Sequence, residues 1–231
     1  MKPAKTLTNC LCLISFILHS ASAIVGGNDA SAASAPFAVA IISSGWFGDS
    51  YHCAGSLIGP KSVLTTAGCV DGFSATSLKA RIGSLEHAAG GQLQQVTKII
   101  KHPNYNTNTH DHDYAVLHLT YPITNIEFVA ISEQAPVTGE PQLQTTFMSF
   151  SECDQIWSDV NTVTSNMNCD AAPEKSQGSC SHDQGGPVVN DSGELVGIIG
   201  YYNYCAPQSD GRPDVNNDPV GASDWIAQNT I

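Results

Sequence analysis

The chain has 231 residues, 42% of them hydrophobic and only 13% charged, so it holds enough apolar mass for one large β unit or two small barrels and falls outside the disordered class. Its formal net charge of −12 excludes a nucleic-acid partner, because phosphate binding needs basic patches, and disfavours an anionic membrane surface. A basic or neutral partner fits that charge.

In chain order, the first element is a targeting segment. Lys2 and Lys5 give a positive start, Leu11–Leu18 is a short apolar run, and Ala21-Ser22-Ala23 is an A-x-A cleavage signal. The run is too short to span a bilayer and no other stretch is long enough, so no membrane insertion is expected. Residues 1–23 are expected to be removed, leaving a secreted, extracellular chain. Their loss takes Lys2 and Lys5 and no acid, so the remainder is more acidic still. Cys10 and Cys12 leave with the segment. Cys53, Cys69, Cys153, Cys169, Cys180 and Cys205 remain, an even number suited to an oxidising compartment, with fifteen pairings open. No close C-x-x-C pair exists, which argues against zinc.

Short β-branched, apolar runs then recur between Gly, Pro, Asn and Ser. They predict strands over Phe37–Ser43, Ser62–Thr66, Leu78–Ile82, Gln94–Ile100, Tyr114–Leu119 and Leu195–Gly200, the pattern of an all-β barrel or sandwich. His110-Asp111-His112-Asp113 raises a metal site, since alternate residues on a strand share a face, but further ligands are not evident and a polar loop entering a strand is the preferred reading. No metal or other cofactor is expected. Asn190-Asp191-Ser192 is an N-x-S sequon on a hairpin turn, a glycosylation site in a secreted protein. Tyr201, Tyr202 and Tyr204 are either strand aromatics or a recognition surface of rigid contact area. Only Ala222–Asn229 reads as helix, capped at Ser223 or a neighbour, with Trp225 and Ile226 inward.

Five segments carry a family resemblance across nearly the whole chain after residue 23. They are IVGG at Ile24–Gly27, HCAGSLI at His52–Ile58, VLTTAGCV at Val63–Val70, HDHDYAVLHL at His110–Leu119, and CSHDQGGPV at Cys180–Val188 with its continuation to Ile199. Their order and spacing resemble the chymotrypsin/trypsin family of serine proteases, whose own patterns read TAAHC and GDSGGP. The resemblance implies two Greek-key antiparallel β-barrels, a first over about 24–130 and a second with a C-terminal helix over about 131–231. It also implies the pairs Cys53–Cys69, Cys153–Cys169 and Cys180–Cys205. The family's Gly-Trp-Gly strand and long loop have no counterpart, because Pro136–Pro141 runs almost directly into Leu143–Cys153. A truncated second barrel, open or patched, is therefore expected.

The resemblance assigns roles residue by residue. Asp113 takes the place of the catalytic aspartate, Gly68 that of the histidine, and Gln184 that of the serine. Peptide hydrolysis by this route needs a hydroxyl, an imidazole to take its proton and a carboxylate to hold the imidazole. Gln184 offers an amide and Gly68 offers no side chain, so no intact catalytic set is expected. His182 takes the place of an oxyanion-hole glycine, where a side chain works against the turn that aims the N–H. Gly178 replaces the specificity aspartate, so a Lys or Arg preference is not expected, and Gly200, Tyr201 and Tyr202 form the pocket wall. The loop GSLEHAAGGQ after Ile82 lacks the carboxylates of a calcium site. Ile24, exposed by the A-x-A cleavage, is expected to pair its amine with Asp183. The implied function is a secreted, non-catalytic homologue that binds an extracellular protein as inhibitor, decoy or cofactor, as the glucanase inhibitor proteins of oomycetes do by analogy. The alternatives are a weakly active or unconventional secreted trypsin-like endopeptidase and the product of a decayed or misannotated gene, the missing Gly-Trp-Gly segment then being a gene-model error.

Overall fold

Leu78, Ala80 and Ile82 are buried while Lys79 and Arg81 between them are not, and this strict alternation makes the segment a strand with one face on a core. The computed structural model describes residues 31, 33–46, 48–136, 141–142, 145–172, 177–202, 205 and 212–231. The targeting segment 1–23, Ile24 and Tyr204 lie outside them. Six strands, β1 (Ala38–Gly45), β2 (Gly48–Gly59), β3 (Ser62–Thr65), β4 (Leu78–Ile82), β5 (Gln92–Lys101) and β6 (Ala115–Leu119), close into a barrel in the order β1-β2-β3-β6-β5-β4. Every pairing is antiparallel, with Ile41 opposite both Cys53 and Ala80, and Leu64 opposite Val116. Closure leaves no free edge in this half.

A second group, β7 (Pro141–Gln142), β8 (Thr145–Met148), β9 (Met167–Ala171), β10 (Pro187–Val189), β11 (Leu195–Tyr201) and β12 (Asp214–Asn217), forms a six-stranded antiparallel sheet in the order β10-β11-β12-β9-β8-β7. The all-β, antiparallel class expected from the sequence is the class observed. The edge strand of this sheet is β7, next to β8. Residues 137–140 lie outside the described set.

The larger core fills the closed barrel and runs on into the second half. Ile41, Leu57, Val63, Leu64, Leu78, Leu117 and Leu119 are packed in one cluster with Leu195, Ile198 and Ile226. The smaller core is Cys153, Trp157, Val163, Met167, Cys169 and Val215. Disulfides join Cys53 to Cys69, Cys153 to Cys169 and Cys180 to Cys205.

Helix α1 (Ala67–Val70) is one turn, capped by Thr66, whose side chain accepts from the Cys69 N–H at 3.3 Å. Helix α2 (Phe150–Trp157) corrects the expectation of a single helix. Its signal was present as S-x-x-E at Ser149–Glu152, and Ser149 does accept from the Glu152 N–H at 3.3 Å. Cys153 and Trp157, four residues apart, share its buried face. Helix α3 (Ser223–Asn229) starts one residue later than expected. Ala222 stands at its N-cap and no side chain caps it, so Ser223 has no capping role. Ile226 is buried and Trp225 packs at the core's margin. The chain end then ties back to the barrel: Ile231 N–H donates to Ser62 Oγ at 2.8 Å and the Ile231 carbonyl accepts from Lys61 N–H at 3.1 Å.

Trp157 holds the small core together. It is 2% exposed, donates Nε1–H to the Pro213 carbonyl at 3.1 Å and meets Tyr201 edge-on at 5.0 Å. Trp157→Ala is expected to cost about 3–5 kcal/mol in urea unfolding. A loss below 1 kcal/mol would show that this core contributes little.

Candidate functional site

The loops at the C-terminal ends of β3 and β11, the segment entering β6 and the loop before β10 surround one cleft. It has a volume of about 650 Å³ and is lined by Gly68, Tyr105, His110, Asp113, Gln184 and Tyr202 among others. Gly185 positions the last of these loops. At φ +83°, a Cβ here would lie 2.2 Å from Thr65 Oγ1 and 2.3 Å from the Ala54 carbonyl, so only glycine fits. That close approach lets Ala54 N–H donate to the Gln184 carbonyl at 2.9 Å while Gly185 N–H donates to Ile199 O at 2.8 Å. The loop is thus sewn to both halves of the molecule.

Asp113 is 3% exposed. Its carboxylate accepts from the Gly68 N–H at 2.7 Å, with a second backbone bond from Ala67. Burial pushes its pKa up to about 7; those two bonds pull the other way, and the Asp71 charge adds to the rise. The space over Gly68 is taken. A Cβ placed there would lie 2.9 Å from Tyr105 Oη, and 3.4 Å from Asp113 Oδ2. Burial, then the Asp113 and Asp71 charges, push the Tyr105 phenol above its ordinary range, so it stays protonated. An imidazole near Asp113 belongs instead to His110, whose Nδ1 is 3.9 Å from Asp113 Oδ2. Burial lowers the pKa of His110.

Gln184 donates Nε2–H to Tyr202 Oη at 3.2 Å. Among the described residues no serine or threonine hydroxyl is hydrogen-bonded to a histidine ring. That nucleophile–base contact is what activation of a hydroxyl requires.

His182 corrects one expectation. It adopts φ +76°, the left-handed turn that a side chain opposes. Two contacts hold it there: its Nδ1–H donates to the His52 carbonyl at 2.7 Å, and Tyr51 Oη donates to the His182 carbonyl at 3.0 Å. Among the described residues the backbone N–H groups of His182 and Gln184 meet no acceptor.

Asp183 is 5% exposed and accepts from the Cys180 N–H at 2.8 Å. Burial pushes its pKa up to about 6; the Cys180 bond opposes the rise and the Asp214 charge adds to it. Its expected partner Ile24 is outside the described residues. Gly178, at φ +150°, faces the carboxylate of Asp214, which the sequence reading did not single out. Gly200 and Tyr201 end β11, and Tyr202 follows on the cleft wall.

The segment His110–Asp113 is a loop, not a strand. His110 and His112 both have positive φ, +57° and +52°, which removes the alternation a shared face needs. Asp111 is spent on structure: Oδ1 accepts from Thr164 Oγ1 at 2.6 Å and Asn166 Nδ2 at 2.8 Å, and Oδ2 faces His112 Nδ1 at 2.9 Å. Among the described residues, the one close group of metal-ligand types is His52, Cys53 and Cys69, whose two sulfurs are bonded to each other. Asn190 lies in the turn between β10 and β11, with its amide donating to Glu194 Oε2 at 3.1 Å. Sequence reasoning missed Tyr105 and Asp214, because neither stands in a motif; each reaches the site only through folding.

Comparison with known proteins gives a consistent result. The family model described as trypsin matches residues 24–145 and 137–226. Trypsin 5G1 of Aedes aegypti is 32% identical, over 91% of this chain and 86% of its own length. Serine protease 1 of Canis lupus familiaris is 30% identical, over 93% of each. Vitellin-degrading protease of Bombyx mori is 27% identical, over 89% of this chain and 85% of its own. Among solved structures, neuropsin, a serine protease of mouse brain, superposes with a TM-score of 0.75 at 22% identity, covering 88% of this chain and 98% of that one. That superposition speaks for the fold. The family model spans most of the chain, and the chain belongs to the trypsin family.

Proposed function

We propose that the chain is a secreted, non-catalytic member of the trypsin family that binds a protein partner outside the cell, as an inhibitor, decoy or cofactor. The observation that carries this reading is the pairing of Gly68 with Tyr105. A glycine stands where the proton-accepting imidazole is required, and a phenol that stays protonated lies over it. Gln184 at the nucleophile's place has an amide that neither attacks nor ionises, and its side chain is engaged by Tyr202. Triad members act as a unit, so the absence of two leaves only binding and orientation effects. The cleft has the size of a ligand site. Trp46, 97% exposed at the tip of the β1–β2 hairpin, adds a residue type enriched at interfaces.

Supporting proposals concern maturation. Residues 1–23 are removed, the freed Ile24 amine neutralises Asp183, and Asn190 carries a glycan. Buried Asp183 needs a counter-charge, and breaking such a pair costs about 3–5 kcal/mol. N-terminal sequencing of secreted protein that begins elsewhere than Ile24 would remove the pair. We also propose the division into units over about 24–130 and 131–231.

The test is a fluorophosphonate probe applied to secreted protein, with a pull-down from the same sample. The expected result is no covalent label and a saturable partner. The second reading, an active endopeptidase, is favoured by relatives that are named as proteases. Covalent labelling at a cleft residue would establish it.

A further inference from the structure

One loop supplies four residues of the cleft wall. It runs from His102, just after β5, to Tyr114, just before β6, and carries Tyr105, Thr107, His110 and Asp113. Its two ends meet at a base. His102 N–H donates to the Tyr114 carbonyl at 2.9 Å, and the imidazoles of His102 and His112 stack with 4.7 Å between centroids and 17° between planes. Trp225 of α3 meets the His102 ring edge-on at 4.9 Å, so the stack also docks the loop on the C-terminal helix. His112 adopts φ +52°, a left-handed backbone that a side chain opposes, and the stack and its contact with Asp111 help to hold it.

This base tolerates one positive charge but not two. His102 Nδ1 accepts from the Asn104 N–H at 3.3 Å, which needs the lone pair of a neutral ring. A proton on that nitrogen sets a donor against a donor. With His112 also protonated, two cations would face each other across the stack. The neighbours on every side offer His102 little compensation. Asp111 Oδ2 lies 2.9 Å from His112 Nδ1, so the carboxylate serves His112 first. Trp225 carries no charge. Tyr114 lies edge-on to His102 at 5.9 Å, and its hydroxyl is engaged by the Asn166 and Asp218 carbonyls. Burial and then His112 hold the pKa of His102 below its ordinary 6.5, against the weaker pull of Asp111.

We infer that the His102–His112 stack is a pH-sensitive clasp that holds this wall of the cleft in place near neutral pH and releases it in acid. The inference rests on the binding reading above and names a regulation of the same cleft. A histidine with a lowered pKa favours the clasped loop above about pH 6.5, and that margin is lost as pH falls below it. Asp113, with its pKa raised to about 7, acts with the opposite sign, because it stabilises the folded chain as pH falls. Opening in acid is therefore not a signature of Asp113.

The test is hydrogen exchange of the secreted protein, read by mass spectrometry over residues 102–114 at pH 7.5 and pH 5 and corrected for the chemical exchange rate. The segment is expected to lose protection about fourfold or more at pH 5, the factor set by two unit charges 4.7 Å apart under water-like screening, while β3 and β6 keep theirs. His102→Gln keeps an acceptor without a charge and is expected to hold its protection equal at both pH values. His112→Gln is expected to do the same and decides the matter where His102→Gln fails to fold. His110→Gln leaves the stack intact and is expected to open in acid as the wild type does. Equal protection of the wild-type loop at both pH values overturns the inference. So does a glutamine variant of the stack that still opens, or a response that disappears in His110→Gln. The assay needs no partner, so its failure leaves the binding reading standing, and a failed pull-down leaves the clasp standing.

Discussion

Gly68→His combined with Gln184→Ser is expected to produce a chain that a fluorophosphonate probe labels at position 184, while neither single variant is labelled. The gap between double and single variants should be about a thousandfold or more in labelling rate, because the hydroxyl and imidazole work only as a pair. The rest of the site is in place for them. Asp113 is already held by the Gly68 N–H, and among the described residues the His182 and Gln184 N–H groups meet no other acceptor. The obstacle is Tyr105, whose Oη would lie 2.9 Å from the new Cβ, but the end of a tyrosine swings aside more easily than backbone. His182→Gly added to the pair should bring little further gain, since His182 already has the left-handed turn. A folded double variant that stays unlabelled would mean that the oxyanion geometry has been lost along with the side chains.

Asp113→Asn is expected to stabilise the protein above neutral pH and to leave it unchanged near pH 4. The folded-state pKa of about 7 stands above the ordinary 3.8, so the folded chain holds a proton that the unfolded chain releases first. The contribution is therefore fully present below about pH 4 and is lost as pH rises through about 7. The difference amounts to about 4 kcal/mol. Asparagine keeps an oxygen to accept from Gly68 and carries no charge to bury. Urea unfolding at pH 4, 6 and 8 reads this directly, with the wild-type-minus-variant difference growing across the series. A constant difference would place the titration of Asp113 in its ordinary range. Any titration of Asp183 is common to both proteins and so cancels from that difference.

The parts of this molecule that were legible in the sequence are those governed by local pattern. Leu78–Ile82 alternates strictly and is a strand over the same residues. The motif frames locate Asp113, Gly68 and Gln184 along one cleft: Gly68 follows β3 and Asp113 precedes β6, strands that pair with each other, while Gln184 lies in the loop before β10. Helix α2 was legible as well, through Ser149 and Glu152, but its short amphipathic face is two residues deep and easily read as loop. His182 ran the other way: its type argues against a left-handed backbone, and only long-range bonds to His52 and Tyr51 make that backbone hold.

By itself the sequence determined the family frame, the alternation that builds the strands and the glycine and amide at positions 68 and 184, since these depend on residue identity and local spacing alone. The tertiary structure alone decided what fills the places left behind. Tyr105 over Gly68 and Asp214 beside Gly178 are contacts across 37 and 36 positions of chain, created by strand register and loop packing. No periodicity encodes such contacts, because the cost of closing a loop grows only slowly with its length and leaves many distant pairings open until a packed core selects one.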